Sequence, residues 1–162
     1  RFQGNSFEGP IPESLSNLTQ LTSLRISDIV NGSSSLSFIS NLTSLNVLIL
    51  RNCRIYDNLA TVNFSNLAGL TLLDLSFNNI TGQVPQSVLN LDKLGFLFLG
   101  NNSISGSLPD VKSPSLNNLD FSYDQLSGSF PSWATQNNLQ LILPSGLNCL
   151  QQDVPCFRGS PE

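Results

Sequence analysis

The sequence contains few residues that could carry out catalysis. It has no histidine, and it lacks both a G-x-S-x-G nucleophile motif and a glycine-rich phosphate-binding loop. Asp74 and Asp120 occupy the same strand position in alternate copies of a repeated pattern. Parallel strands would place them about 10 Å apart with Phe98 between them. That spacing is near the upper limit for an inverting glycosidase, but an open sheet encloses no substrate. We therefore expect neither an enzymatic activity nor a cofactor in this segment.

Three cysteines are the other candidates for site chemistry. Cys149 and Cys156 lie close together near the C-terminus, where the repeated pattern ends. A tetrahedral zinc site cannot be assembled here from Cys and His alone, because the chain has no histidine and only Cys53 is left to join this pair. A disulfide is therefore favoured over a metal site, and it would add about 2 to 3 kcal/mol to the stability of a C-terminal cap. Cys53 is interpreted as a buried structural residue.

A repeated pattern positions all of these residues. It reads L-x-x-L-x-L-x-x-N-x-I, and its clearest copy runs through residues 70–80. The copies begin at Leu21, Leu45, Leu70, Leu94 and Leu116, so the repeats are 22 to 25 residues long. This period is typical of leucine-rich repeats. The pattern predicts an α/β solenoid of about six stacked repeats, with a concave parallel β-sheet and short 3-10 or irregular segments on the convex side.

A ladder position recurs at the bend after each predicted strand, and in most repeats it holds a polar residue. Its occupants are Asn5, Ile29, Cys53, Asn78, Asn102 and Asp124. An amide at this position can satisfy backbone donors and acceptors in the repeats on both sides. Ile29 cannot do so, and we therefore expect the bend after Ile26 to take a different course.

A second phrase follows the ladder residue in four repeats. It consists of glycine, any residue, an aliphatic residue or phenylalanine, and proline. The copies are Gly9/Ile11-Pro12, Gly82/Val84-Pro85, Gly106/Leu108-Pro109 and Gly128/Phe130-Pro131. This phrase resembles the plant-specific class of leucine-rich repeats, whose extracellular members form the ectodomains of receptor-like kinases and receptor-like proteins. Residues 26–39, 143–150 and 155–159 are similar, more narrowly, to the receptor-like kinases in which a malectin-like domain follows the repeats.

The resemblance implies an arrangement of domains. Residues 1–138 would be leucine-rich repeats without their N-terminal cap and first repeats, and residues 139–162 would be a degenerate last repeat with its C-terminal cap. A malectin-like domain, a transmembrane helix and a cytoplasmic Ser/Thr kinase would follow, so the full-length protein is expected to be a receptor kinase. Residues 27–66 lack the glycine–proline phrase, which indicates either drift of convex loops or an irregular ridge used by a partner.

Composition and modification motifs indicate the compartment. Only 11% of the residues are charged and the net charge is -4, so no basic stripe is available for nucleic acid or an acidic membrane surface. The predicted disulfide favours an oxidising space. We expect the extracellular side of the plasma membrane, with membrane contact only through a helix outside this chain. The sequons expected to carry glycans are Asn17, Asn31, Asn41, Asn63 and Asn79. Asn101, at the end of a strand on the concave side, is not expected to do so.

Alternation of side chains along the strands predicts a partner-binding surface on the concave face. The apolar patch consists of Val47, Ile49, Leu72, Phe96 and Phe98, widened by Phe77 and Tyr123, with Arg25, Arg51, Asp74 and Asp120 as a charged rim. Exposed apolar patches usually mark interaction sites. We expect an extracellular peptide or protein ligand and a co-receptor ectodomain, with a cell-wall oligosaccharide as second choice. A neighbouring malectin-like domain or a glycan could instead cover the patch.

A second function is also compatible with the sequence. Secreted repeat proteins of the polygalacturonase-inhibiting type share the glycine–proline phrase. The chain could therefore be a secreted inhibitor or scaffold that acts on wall-degrading enzymes.

Overall fold

The structure is a computed structural model that describes residues 6–144 of the chain. Within this range the strands follow one another as a series of short elements. They are β1 (Ser23–Ser27), β2 (Ser34–Ser35), β3 (Val47–Arg51), β4 (Ile55–Asn58), β5 (Leu72–Asp74), β6 (Asn79–Gly82), β7 (Phe96–Phe98), β8 (Ser103–Gly106), β9 (Asn118–Asp120), β10 (Gln125–Leu126) and β11 (Gln140–Ile142). They form two parallel sheets that coil around one core.

The first sheet contains six strands in the order β1-β3-β5-β7-β9-β11. Its central leucines are paired across the strands, so that Leu48 lies opposite Leu73 and Leu73 opposite Leu97. All three are fully buried. Each repeat therefore covers the apolar side chains of its neighbour, as expected for a solenoid whose single repeats cannot fold alone. The predicted leucine-rich-repeat solenoid with a parallel sheet is confirmed.

The second sheet contains five strands in the order β10-β8-β6-β4-β2. We predicted only 3-10 or irregular segments outside the first sheet, and the prediction missed these strands. Each begins one to five residues after the ladder position of its repeat. The glycine of the recurring phrase adopts a left-handed conformation, with φ of 85° at Gly82 and 75° at Gly106. Since a side chain opposes that conformation, glycine is favoured there.

Residues 27–66 join the second sheet without the glycine–proline phrase. In this segment the carboxylate of Asp57 accepts four hydrogen bonds from neighbouring residues. The donors are Ser35 Oγ at 2.7 Å, Leu36 N at 3.2 Å, Asn58 N at 3.0 Å and Thr61 Oγ1 at 2.9 Å. One charged side chain thus connects β2 to the repeat that contains β4.

Short helices return the chain from the second sheet to the first. The 3-10 helices span Glu13–Asn17, Ser37–Asn41, Leu59–Thr61, Phe64–Asn66 and Ser132–Thr135, and α1 spans Gln86–Leu89. These segments agree with the short helical returns expected from the sequence. The buried ring of Trp133 closes the last of them, and its Nε1 donates to the carbonyl of Pro109 at 2.9 Å.

The ladder residues join consecutive repeats through hydrogen bonds. Oδ1 of Asn78 accepts from the amides of Cys53 at 2.9 Å and Ile55 at 3.0 Å. Its Nδ2 donates to the carbonyls of Leu50 at 2.7 Å and Leu75 at 2.9 Å. Cys53 is a buried free thiol. Burial, with smaller contributions from Asp28 and Asp74, raises its pKa to about 12.

The bend after Ile26 shares a left-handed residue with the other bends, but its hydrogen bonds differ and the next strand, β2, begins later after the ladder position. The residue before the ladder position is left-handed in every described repeat. The φ angles are 62° at Asp28, 54° at Asn52, 59° at Phe77, 58° at Asn101 and 59° at Tyr123. At the first bend the amide of Asp28 donates to the carbonyl of Arg51 and that of Ile29 to the carbonyl of Asn52. The backbone itself therefore holds this turn without a side-chain amide.

Cys149 and Cys156 lie outside the described residues, and their disulfide stays a prediction. The same holds for the C-terminal cap. Residues 140–142 nevertheless continue the first sheet as β11, with Leu141 paired to Leu119. The segment predicted as a degenerate last repeat thus begins with a regular strand.

Candidate partner-binding face

The candidate site lies on the solvent face of the first sheet. Val47, Leu72 and Phe96 are neighbours in the strand register, and one further row places Ile49, Asp74 and Phe98 side by side. The five predicted apolar residues therefore meet on three adjacent strands. Phe96 is 43% exposed and the other four are partly buried. The rings of Phe96 and Phe98 have centroids 6.2 Å apart and planes inclined by 54°.

Arg51 and Phe77 form a cation–π pair at the edge of this face. The guanidinium carbon of Arg51 lies 4.3 Å from the centroid of the Phe77 ring, which is 42% exposed. Nη1 of Arg51 also donates to Oγ of Ser76 at 3.2 Å. These two contacts orient the guanidinium, and Arg51 stays exposed to solvent.

Asp74 does not belong to a solvated rim, and the prediction that placed it there is wrong. It is only 9% exposed, and its Oδ1 accepts hydrogen bonds from both the amide and the hydroxyl of Ser76. The carboxylate therefore closes the turn at the end of β5. Asp120 has the same role in part, because its Oδ1 accepts from the amide of Ser122 at 2.8 Å while the residue stays half-buried.

Arg25 and Tyr123 lie at opposite ends of the face. Arg25 is half-buried on β1, opposite Ile49, and its Nε is buried without a hydrogen-bond partner among the described residues. Tyr123 is 75% exposed. The structure thus brings the apolar patch together with Phe77 and Arg51, and it separates Arg25 and Tyr123 to the two ends.

Sequence reasoning missed one exposed apolar residue of this face. Ile142 lies opposite Asp120 in β11 and is 39% exposed. The alternation of side chains in residues 140–142 could have predicted it, but we interpreted that segment as a degenerate repeat. The face therefore extends across six strands.

The five sequons expected to carry glycans have exposed asparagines. Asn17 and Asn41 end 3-10 helices, Asn31 follows β1, and Asn79 begins β6. Asn63 is exposed too, with its Oδ1 accepting from the amide of Ser65 at 3.2 Å. Asn101, by contrast, is half-buried in a left-handed bend.

Two negative findings apply to residues 6–144. No group of three or more His, Cys, Asp or Glu side chains is arranged to hold a metal ion. No helix in this range is both long enough and apolar enough to cross a membrane.

Comparisons with known proteins agree with the fold. The family model for a leucine rich repeat matches residues 39–104. A probable LRR receptor-like serine/threonine-protein kinase of Arabidopsis thaliana is 37% identical over 73% of this chain and 12% of its own length. Receptor-like protein 41 of Arabidopsis thaliana is 35% identical over 67% of this chain and 15% of its own length. The chain therefore spans only a small part of the curated relatives that it matches.

Solved structures give the same result. The LRR ectodomain of the Arabidopsis receptor kinase HAESA, in complex with an N-terminally extended IDA peptide hormone, is 35% identical with a TM-score of 0.74. The match covers 87% of this chain and 23% of that ectodomain chain. HAESA in complex with IDA and the co-receptor SERK1 is 28% identical with a TM-score of 0.74, covering 91% of this chain and 25% of that one. The chain has a leucine-rich-repeat solenoid fold. These similarities support an ectodomain of the plant receptor-like kinase and receptor-like protein type.

Proposed function

We propose that the solvent face of the first sheet is a concave surface that binds an extracellular peptide or protein ligand together with a co-receptor ectodomain. The observation that carries this proposal is the apolar patch of Val47, Ile49, Leu72, Phe96 and Phe98 on three adjacent strands. Exposed apolar surface of this kind usually belongs to an interface. The complexes of HAESA with a peptide hormone and a co-receptor support the same class of partner for a related fold.

The site has the composition of an interaction hot spot. Aromatic rings and an arginine concentrate binding energy where a polar rim excludes water. Here the tilted pair of Phe96 and Phe98 supplies the apolar centre, and Arg51, fixed over Phe77, supplies a cation at its edge. A peptide would gain apolar contacts in the centre and a charged hydrogen bond at the edge.

The wider assignment rests on the relatives and on motifs of the sequence. We propose that the chain lies on the extracellular side of the plasma membrane and belongs to a receptor-like Ser/Thr kinase. We further propose that a malectin-like domain follows the repeats and that the five exposed sequons carry glycans. The resemblance in residues 26–39 supports the malectin-bearing subgroup.

The test is the double substitution Phe96→Ser with Phe98→Ser in the complete ectodomain. Peptides selected from a displayed random library against the unchanged ectodomain serve as probes, beside the purified SERK1 ectodomain. We expect the affinity for the selected peptides to fall by at least about tenfold, because an anchor residue contributes about 2 kcal/mol or more. Tyr56→Ser is the matched control, since Tyr56 is an exposed aromatic residue on β4 of the second sheet.

Full binding by the double variant, with an unchanged melting temperature, would refute the proposed site. The binding surface would then be sought on the irregular ridge of residues 27–35 and 54–63.

A further inference from the structure

Asp124 occupies a ladder position in which the two preceding repeats carry asparagine. Its Oδ1 accepts a hydrogen bond from the amide of Ile104 at 3.0 Å. Oδ1 of Asn102 accepts in the same way from the amide of Ile80 at 3.0 Å. The side chains are therefore oriented alike, and Oδ2 of Asp124 stands where Asn102 has its amide nitrogen.

That nitrogen is a donor in the preceding rungs. Nδ2 of Asn78 donates to the carbonyls of Leu50 and Leu75, and Nδ2 of Asn102 donates to those of Leu75 and Leu99. The carbonyl of Leu75 thus accepts a hydrogen bond from each of two consecutive rungs. Within residues 6–144 the carbonyl of Leu99 accepts from Nδ2 of Asn102, and in the same pattern its second donor would come from position 124.

Oδ2 of Asp124 is buried and has no hydrogen-bond partner among the described residues. The residue as a whole is 8% exposed. An ionised carboxylate would direct a second acceptor at backbone carbonyls, which are acceptors themselves, and burial of such an unpaired charge is costly. A neutral carboxyl would instead provide one O–H donor at that place.

We propose that Asp124 is a proton-dependent rung of the ladder. In its neutral form the hydroxyl on Oδ2 donates to the carbonyl of Leu99 or Phe121. The bond to Leu99 would join the repeat of β9 to that of β7. In its ionised form the proton is released to solvent, and this donor is lost. The neutral acid therefore performs the structural role that the amide has in the other rungs.

The surroundings of Asp124 keep it neutral up to an unusually high pH. Burial raises its pKa from 3.8 to about 7, although the amides of Ile104 and Asn102 oppose this and nearby Asp120 adds to it. The neighbouring elements β7, β8, β10 and β11 contain no charged residue, so Asp120 on β9 is the one ionisable side chain in these strands.

The sign of the effect follows from proton linkage. Between pH 3.8 and about 7 the folded chain binds more protons at Asp124 than the unfolded chain does. The contribution to stability is therefore complete below the unfolded pKa and is lost as the pH rises through the folded pKa. Most carboxylates that are hydrogen-bonded in a folded protein behave in the opposite way.

The rung also connects to the proposed binding face, and this step rests on the proposed function. Tyr123, at one end of that face, directly precedes Asp124 in the chain. Release of the proton would loosen the bend that presents its ring. Binding that involves Tyr123 should thus weaken as the pH rises from 5 towards 8.

The direct test is a pH titration of the complete chain with the carboxyl carbon of aspartate labelled with ¹³C, followed by NMR. We expect the Asp124 resonance, assigned as the signal absent from Asp124→Asn, to titrate with a midpoint near 7. A midpoint below about 5, close to the ordinary value of aspartate, would overturn the proposal. This readout requires no ligand, so its failure is distinguishable from failure of the binding assay.

Thermal unfolding supplies a second test. The melting temperature of Asp124→Asn, measured from pH 4 to 8, should exceed that of the unchanged chain by a margin that grows with pH. Asp120→Asn is the control, because it keeps the acceptor for Ser122 and should retain most of the pH dependence. A difference in melting temperature between Asp124→Asn and the unchanged chain that stays constant from pH 4 to 8 would contradict the proton-dependent rung.

Discussion

At Tyr123, a bulky aromatic side chain is combined with a left-handed backbone. Its φ is 59° and its ring is 75% exposed, so little packing compensates for the conformation. Non-glycine residues in this region cost about 1 kcal/mol or more, and the aromatic ones are the least suited to it. The left-handed bend recurs at the same position of every described repeat, so the conformation belongs to the repeat and the strain is the cost of placing a tyrosine there.

Substitution of Tyr123 should separate stability from binding. We expect Tyr123→Asn to raise the free energy of unfolding by about 0.5 to 1 kcal/mol, because asparagine tolerates left-handed φ. Binding of the selected peptides should fall in the same variant. Chemical denaturation and peptide titration of one preparation measure both quantities.

Tyr56→Asn is the control for this experiment. Tyr56 is 52% exposed but lies in strand β4 with ordinary backbone geometry, so its replacement should bring no stabilisation. A loss of stability in Tyr123→Asn would contradict the strain at this residue. Unchanged peptide binding would exclude Tyr123 from the binding site.

At the scale of elements, the first sheet was predictable and the second was not. Leu48 and Leu50 stand two residues apart, as do Leu73 and Leu75, and their burial follows directly from that alternation. The second sheet consists of strands of two to four residues, such as Ser34–Ser35, whose side chains carry little alternation. Their pairing results from stacking of the repeats, which a single repeat does not encode.

The candidate site was predictable in position but not in detail. Alternation correctly placed Phe96 and Phe98 on the solvent face, since it depends only on the strand direction. It could not predict that Asp74 turns back onto Ser76, because that contact depends on the local turn after the strand. It also gave no sign that Asp124 has a buried oxygen with no hydrogen-bond donor among residues 6–144.

Asp57 provides a prediction at this scale. Burial alone would raise its pKa, but hydrogen bonds from Ser35, Thr61, Leu36 and Asn58 together lower it. We expect Asp57→Ala to cost about 2 kcal/mol, since two part-buried hydrogen bonds of about 1 kcal/mol each are lost, together with two exposed ones that add little. Hydrogen exchange should show lost protection at the amides of Leu36 and Asn58.

The contribution of Asp57 to stability should depend on pH in the opposite way to that of Asp124. Because its folded pKa lies below 3.8, its contribution is present above that value and is lost as the pH falls through the folded pKa. Asp92→Ala is the control, because Asp92 is exposed and lies outside the strands and helices. If Asp57→Ala and Asp92→Ala lose the same amount of stability, Asp57 does not join β2 to β4.

At the scale of the whole molecule, stability should depend on where a repeat lies. Each repeat contacts only its neighbours, so the stability of a solenoid is a sum of repeat and interface terms. Leu73 is covered by Leu48 and Leu97 on its two sides, whereas within the described residues Leu141 has a strand partner only in Leu119. Both side chains are buried. Truncating each leucine to alanine therefore compares a middle repeat with the last described strand.

Truncation at the two positions should therefore have different consequences. We expect Leu73→Ala to lower the free energy of unfolding of the whole chain by about 3 kcal/mol, as for other buried leucines. Leu141→Ala should mainly detach β11 from β9. Hydrogen exchange reports this detachment at the amide of Phe121, which donates to the carbonyl of Ile142 at 2.8 Å, while the amide of Leu75, which donates to Phe98 at 2.9 Å, should stay protected. Uniform loss of protection at both amides in both variants would mean that the repeats unfold as one unit, and the nearest-neighbour description of this solenoid would then be wrong.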